Sequence, residues 1–270
     1  MMTMRMLLLV TALCAAAPAG AGMAVTPEAA EASAARSYTV GVENLQYYPL
    51  HSTDANNEYT GFAREVLDTF ARQQGYTFHY VPLPINRLYT AFLKEQTLDF
   101  KYPDHPKWRE ELRHSLKISY SDVVVRSEEG AMVLPQNKGR PLSTIHSLGT
   151  VLGFTPWPYL PAIESKAIVV TTSNRFDGLL RRVLAGQLDA VYVNIDVANY
   201  LLAQELKAPG GLQFDPSLPH AHSDFRLSSL RHDEVVAQFS QFLQHEQPLL
   251  QQLRLKYKVA EPRPAEAGSR

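Results

Sequence analysis

From Tyr38 to Leu206 the chain alternates short strand patterns with short helix patterns, an order that few folds accept. "SYTVGVE" alternates as a strand does. "TGFAREVLDTFARQQGY" repeats Phe62, Val66, Leu67 and Phe70 at helical spacing and stops at Gly75. "TFHYVPLP" reads as a second strand ended by prolines, "NRLYTAFLKEQ" as a helix and "LDFKYP" as a third strand. A second set follows: strands "LGTVLGF" and "AIVVTT", helix "FDGLLRRVLAG", strand "LDAVYVN" and helix "DVANYLLAQEL". This alternation predicts an α/β fold with a mostly parallel sheet and helices on both faces. One near-repeat sharpens the picture. "FLKEQTLDF" (Phe92 to Phe100) and "VLAGQLDA" (Val183 to Ala190) are both helix ends that turn through a short polar link into Leu-Asp and a strand, a likeness that helix-turn-strand units commonly share and that two lobes of similar build would also give.

The ends of the chain have a different character. Met-Met-Thr-Met-Arg, then "MLLLVTALCAAA", then small residues up to Ala24 read as a secretory signal peptide over 1–24, which places the processed protein in the periplasm. The only cysteine is Cys14, inside that signal, and the bulky Leu13 before it argues against lipid attachment. Disulfides, thiolate metal sites and a cysteine nucleophile are thereby excluded from the processed chain. Residues 25–36, "VTPEAAEASAAR", and 260–270, "EPRPAEAGSR" preceded by Ala260, lack an apolar face and read as a flexible linker and a disordered tail. No second apolar run is long enough to span a bilayer. Lys and Arg total 26 against 27 Asp and Glu, net −1, with no basic stripe, so no nucleic-acid partner is expected.

The span from Thr60 to Phe100, "TGFAREVLDTFARQQGYTFHYVPLPINRLYTAFLKEQTLDF", resembles the extracellular solute-binding proteins of bacterial ABC transporters, in the family 3-like group that includes the polar amino-acid receptors. "LKISYSDVVVRSEEGAMVL" is similar to that family's lobe crossing, and "LSTIHSLGTVLGFTPWPYL" and "LLRRVLAGQLDAVYVNID" to its second lobe. The resemblance covers nearly all of Tyr38 to Val259. It implies a two-lobed periplasmic-binding-protein type II fold, each lobe a mostly parallel sheet flanked by helices, joined by two hinge strands. Lobe 1 would hold 37–121 and 224–259, and lobe 2 with the hinge crossings 122–223. The ligand would lie in the cleft beyond the carboxyl ends of the strands.

Residues at those strand ends are the candidate ligand contacts. Tyr47 and Tyr48 in "NLQYYPL" offer flat faces and hydroxyls, and Arg87 in "PLPINRLY" a rigid fork for a carboxylate or phosphate. "FKYPDHPKWRE" is the most unusual segment, because Tyr102, Pro103, Trp108 and Arg109 occupy a region that is small and rich in Gly and Thr in the amino-acid receptors. Arg109 is the best match for the family's anion-gripping Arg, and Trp108 a candidate wall. In "GFTPWPYL", Thr155 matches a Thr that the family presents to an anionic ligand, and Trp157 sits stiffly between two prolines. Ser173 and Asn174 read as helix caps. The resemblance puts Asn194 where the amino-acid receptors have an Asp that meets the α-ammonium. An amide carries no charge, so a zwitterionic amino acid would be poorly served. Asp196 would serve instead, or cap the helix that follows. His220 and His222 in "PHAHSD" have metal-binding spacing, but no further His or Glu in sequence completes a site.

The expectation is therefore a monomeric periplasmic receptor, not an enzyme and without cofactor or metal, that captures a small polar, anionic ligand for an ABC permease or another inner-membrane partner. Two alternatives share the scaffold: a stand-alone ligand sensor or accessory protein, and a cyclohexadienyl-dehydratase-like enzyme. For the enzyme, Glu43 or Asp196 would supply the acid.

Overall fold

The computed structural model describes residues 36–259. The signal peptide, all but the last residue of the linker and the tail lie outside the described residues. In chain order the strands and helices begin with β1 (Arg36–Glu43), the short β2 (Gln46–Tyr47), β3 (His51–Thr53) and β4 (Tyr59–Thr60), then α1 (Phe62–Gln74), β5 (Tyr76–Leu83), α2 (Ile85–Tyr89), β6 (Phe100–Asp104) and β7 (Ser119–Tyr120). They continue with β8 (Val125–Val133), β9 (Ser147–Val151), α3 (Leu160–Glu164), β10 (Val169–Ser173), α4 (Phe176–Leu184), β11 (Ala190–Asn194), α5 (Ile195–Tyr200), β12 (Gln213–Phe214), β13 (Ala221–Ser229), α6 (Asp233–His245) and α7 (Gln247–Tyr257). Among the described residues no helix is long and apolar enough to cross a membrane.

The helices form where the apolar spacing demands them. α1 buries Phe62, Ala63, Val66, Leu67, Phe70 and Ala71 on one face, and ends where Gly75 takes a left-handed φ of 69° and turns its N–H back onto the last helical carbonyls. α2 and α5 each run on into one wider turn, over Thr90–Lys94 and Leu201–Glu205.

The main sheet runs β10-β9-β11-β8-β13-β6-β1-β5. Its two outer parts are parallel, β5-β1-β6 at one side and β10-β9-β11 at the other, as the alternation predicts. The middle is antiparallel, and β13 is its seam. The first half of β13 pairs with β8, from Ala221 opposite Glu129 to Phe225 opposite Val125. Its second half pairs with β6, with Ser228 opposite Lys101 and Ser229 opposite Phe100. β8 and β13 are thus the two strands on which the lobes are joined, and the clefted face lies at the carboxyl ends of the parallel strands, where Glu43, Asp104, Val151 and Asn194 terminate their elements.

Candidate functional site

A cavity of about 530 Å³, counting the solvent at its mouth, opens between the two lobes. Lobe 1 contributes Glu43, Ile85, Tyr89, Trp108 and Arg109, with Phe225 from the seam strand; the other wall is Glu129, Gly153, Phe154, Thr155, Trp157 and Tyr192.

Each wall is placed by local chemistry. In α2, Ile85 and Tyr89 are one helical turn apart and both face inward, which turns Arg87 outward. There it pairs with Glu95 at 2.5 Å, exposed to solvent, so this candidate does not line the cavity. Trp108 and Arg109 are held from below by a buried ion network built from the unusual segment. Asp104 and Lys101 are fully buried, 3.1 Å apart; Arg113 grips both Asp104 oxygens at 2.7 and 3.1 Å, and Ser228 adds a fourth donor at 2.7 Å. Arg113 also donates to the Trp108 carbonyl at 2.5 Å, which ties the network to the cleft wall. Burial acts upward on the Asp104 carboxyl, yet Lys101 and Arg113 hold it below the ordinary range. Lys101 lies over the Tyr89 ring at 4.6 Å, so the same cation supports two lining rings, the other being Trp108 at 5.6 Å.

Arg109 takes a left-handed φ of 51° and its guanidinium donates to the Asn86 side chain at 2.5 Å. Glu111 lies 3.8 Å away. Opposite it, Glu129 is buried, accepting from Ser127 at 3.1 Å and Ser223 at 3.4 Å. Burial outweighs those two donors, and with the charge of Glu43 it raises the Glu129 carboxyl to about 7. Glu43, also buried, contacts His51 at 3.3 Å. Tyr192 is buried in the same wall, and its hydroxyl has no hydrogen-bond partner among the described residues. Two carboxyl groups and one engaged guanidinium therefore line the cavity. An anion would have to face both acids, so the expected anionic ligand does not suit this lining.

The remaining candidates fall outside it. Asn194 is the N-cap of α5, its side-chain oxygen accepting from the Val197 N–H at 2.9 Å, and its amide donates to Ser127 at 2.8 Å. The amide thus makes one bond on each side within the protein, and Asn194 does not line the cavity but reaches its wall through Ser127 and Glu129. Asp196 sits in the first turn of α5 rather than at its cap. Tyr102 is fully buried beneath the site. Tyr47 is buried as well, packing at 5.7 Å on Phe154 and 5.8 Å on Phe176 across the lobes, and Tyr48 packs at a tilt on Tyr200 at 4.6 Å. Gln46 donates to Glu205 beside that pair. These contacts hold the two lobes together at the cleft edge. Gly153 approaches so closely that a Cβ there would lie 3.0 Å from Ile85, at a φ of 96° that disfavours any side chain.

Trp108, Arg109, Thr155 and Trp157 were legible as lining residues. Glu129 was not, and the one signal for it is the inward alternation of Ser127, Glu129 and Ala131 along β8.

No protein-family model and no curated protein sequence matches the chain. Solved structures do. An ancestral arginine-binding protein bound to arginine aligns over 83% of this chain and 99% of its own with a TM-score of 0.65 at 16% identity. The chain has the periplasmic-binding-protein type II fold. A substrate-binding protein of an ABC uptake transporter from Streptococcus pneumoniae with bound histidine aligns over 84% of this chain and 95% of its own, TM-score 0.64, 20% identity. A histidine kinase sensor domain similar to periplasmic binding proteins aligns over 85% and 99%, TM-score 0.65, 18% identity. The two-lobed fold expected from the sequence is thus shared with binding proteins and with a sensor domain.

Proposed function

We propose that this protein is a periplasmic receptor that closes its two lobes around a small amine-bearing solute of the amino-acid class, for delivery to an ABC-type permease. The observation that carries this reading is the cavity charge: Glu43 and the Arg109 guanidinium on the lobe 1 wall, Glu129 on the facing wall, and the rings of Tyr89, Trp108, Trp157 and Tyr192 around them. A zwitterion or a basic amino acid pairs its ammonium with Glu129 and Glu43 and its carboxylate with Arg109 and Thr155. The similar proteins with bound arginine and histidine support this ligand class. The mechanism is capture rather than chemistry: contacts to both lobes stabilise the closed state, and no covalent step is needed.

The test is a thermal-unfolding panel on the purified protein, unfolded and refolded to release carried ligand. It compares L-arginine, L-histidine and L-glutamine with carboxylic acids of the same skeleton lacking the α-amine. A ligand at a hundred times its dissociation constant adds about 2.7 kcal/mol to the folded state. The amines shift the midpoint and the amine-free acids do not; the opposite ranking sinks the reading.

The sensor-domain likeness supports a second reading, in which the same capture is reported to a membrane partner instead of a permease. The panel result is the same for both, and reconstitution with a permease separates them. Glu129, raised to about 7, also has a proton available for acid catalysis. Incubation with a cyclohexadienyl acid is expected to give no product.

A further inference from the structure

The histidines of "PHAHSD" acquire in three dimensions the partner they lack in sequence. β13 runs antiparallel to β8 with Ala221 opposite Glu129 and His222 opposite Glu128. Strand alternation sends Glu129, Ser127 and Ser223 inward toward the cleft, and Glu128, His220 and His222 to the opposite, outer face. One donor atom from each of Glu128, His220 and His222 lies within 4.8 Å of the other two, with both histidines exposed and Glu128 partly buried.

The geometry of the rings favours a metal. His220 Nδ1 lies 3.0 Å from the Leu218 carbonyl oxygen, so that nitrogen donates inward and Nε2 is presented outward as a ligand, the orientation that outer-shell carbonyls give to metal-binding histidines. The ring is further fixed edge-on against Phe214, centroids 5.6 Å apart. His222 stands perpendicular to it at 6.2 Å. Asp224, next on the same face, does not compete for an ion, because Arg126 holds its carboxylate at 3.1 Å and Arg226 at 3.3 Å.

We propose that Glu128, His220 and His222 bind one divalent transition-metal ion of the zinc type on the outer face of the β8–β13 ribbon. Two imidazole nitrogens and one carboxylate oxygen suit zinc, with water as the fourth ligand. Metal–donor bonds of about 2.1 Å place tetrahedral donors about 3.4 Å apart, so the side chains draw in by roughly 1 Å, within reach of a rotamer adjustment at exposed positions. The ion then cross-links the two strands that join the lobes. Because Glu128 and Glu129 face opposite ways, this site is separate from the cleft.

The experiment is a calorimetric titration of the full chain, stripped with chelator, with zinc chloride. One ion per chain is expected. H220Q and H222Q each weaken binding about tenfold or more, E128Q by a similar factor, and H114Q, at an exposed position elsewhere, leaves it unchanged. Cobalt-loaded protein shows the visible absorption of a tetrahedral site, which H222Q abolishes. The unfolding midpoint of the metal-free H222Q variant matches the wild type, which separates lost ligation from lost fold. Absence of a one-to-one site, or the same zinc affinity in the H220Q/H222Q double variant, overturns the proposal.

Discussion

The two lobes begin their strands alike and end them differently. In lobe 1, Asp99 accepts from both the N–H and the hydroxyl of Thr39 at 2.8 Å and donates its own N–H back to that hydroxyl at 3.1 Å. In lobe 2, Asp189 accepts from the N–H of Ser147 at 2.8 Å and its hydroxyl at 2.9 Å, and donates back at 3.0 Å. The same closed loop of three bonds fixes β6 to β1 and β11 to β9, and it is the structural meaning of the Leu-Asp near-repeat. Burial pushes both carboxyls upward, but the donors prevail and hold them below the usual range. At the cleft ends the likeness stops. Lobe 1 has a buried ion network behind aromatic walls, and the facing loop in lobe 2 has Gly153, Phe154 and Thr155. Strand starts are tied down alike in both lobes, whereas the strand ends line the cleft with different side chains.

The largest break in this comparison is expected from Asp104→Ala, which leaves Lys101 and Arg113 buried without their anion. Removing one partner of such a network costs about 3–5 kcal/mol, read as a lower denaturant midpoint, and nothing in the cleft loop of lobe 2 has an effect of that size. Glu129→Gln comes next. A carboxyl raised from 4.5 to about 7 keeps its proton in the folded state, so wild-type stability without ligand is intact below the unfolded value and falls as pH rises from 4.5 to about 7. The difference is worth up to about 3 kcal/mol, and the variant should lack that slope and unfold later than wild type at pH 8.

Asp99→Ala and Asp189→Ala sharpen the likeness itself. Each is expected to cost about 1–3 kcal/mol, with Asp99→Ala the greater because Asp99 also holds Arg231 at 3.0 Å and His232 at 3.1 Å. A negligible cost at Asp189 would show that the two loops are not equivalent. The smallest stability change belongs to Trp157→Ala. Its side chain is 43% exposed, so unfolding should move by less than about 0.5 kcal/mol while ligand affinity falls.

The scaffold was legible because strand and helix periods, glycine stops and the Leu-Asp repeat are local signals. Trp108, Arg109, Thr155 and Trp157 were legible because they follow strand ends. Glu129 was hidden by register: it and Glu128 are neighbours in sequence, and only the pairing of β8 with β13 decides which enters the cleft. The same pairing hid Glu128 from the histidines. Arg87 lies outside the lining because helix phase points Ile85 and Tyr89 inward instead. Asn194 was found at the right strand end, but there it caps the first turn of α5, where the Val197 N–H is buried, and does not line the cavity.

The central claim is that a cleft carboxyl near half protonation meets a ligand ammonium. Calorimetric titration of L-arginine and L-histidine at pH 7, in two buffers of different ionisation enthalpy, tests it on wild type and Glu129→Gln. A cation beside Glu129 stabilises its ionised form, so binding to wild type should release a fraction of a proton, and binding to the variant should be weaker and release none. Proton uptake, or unchanged affinity and linkage in Glu129→Gln, would contradict the account.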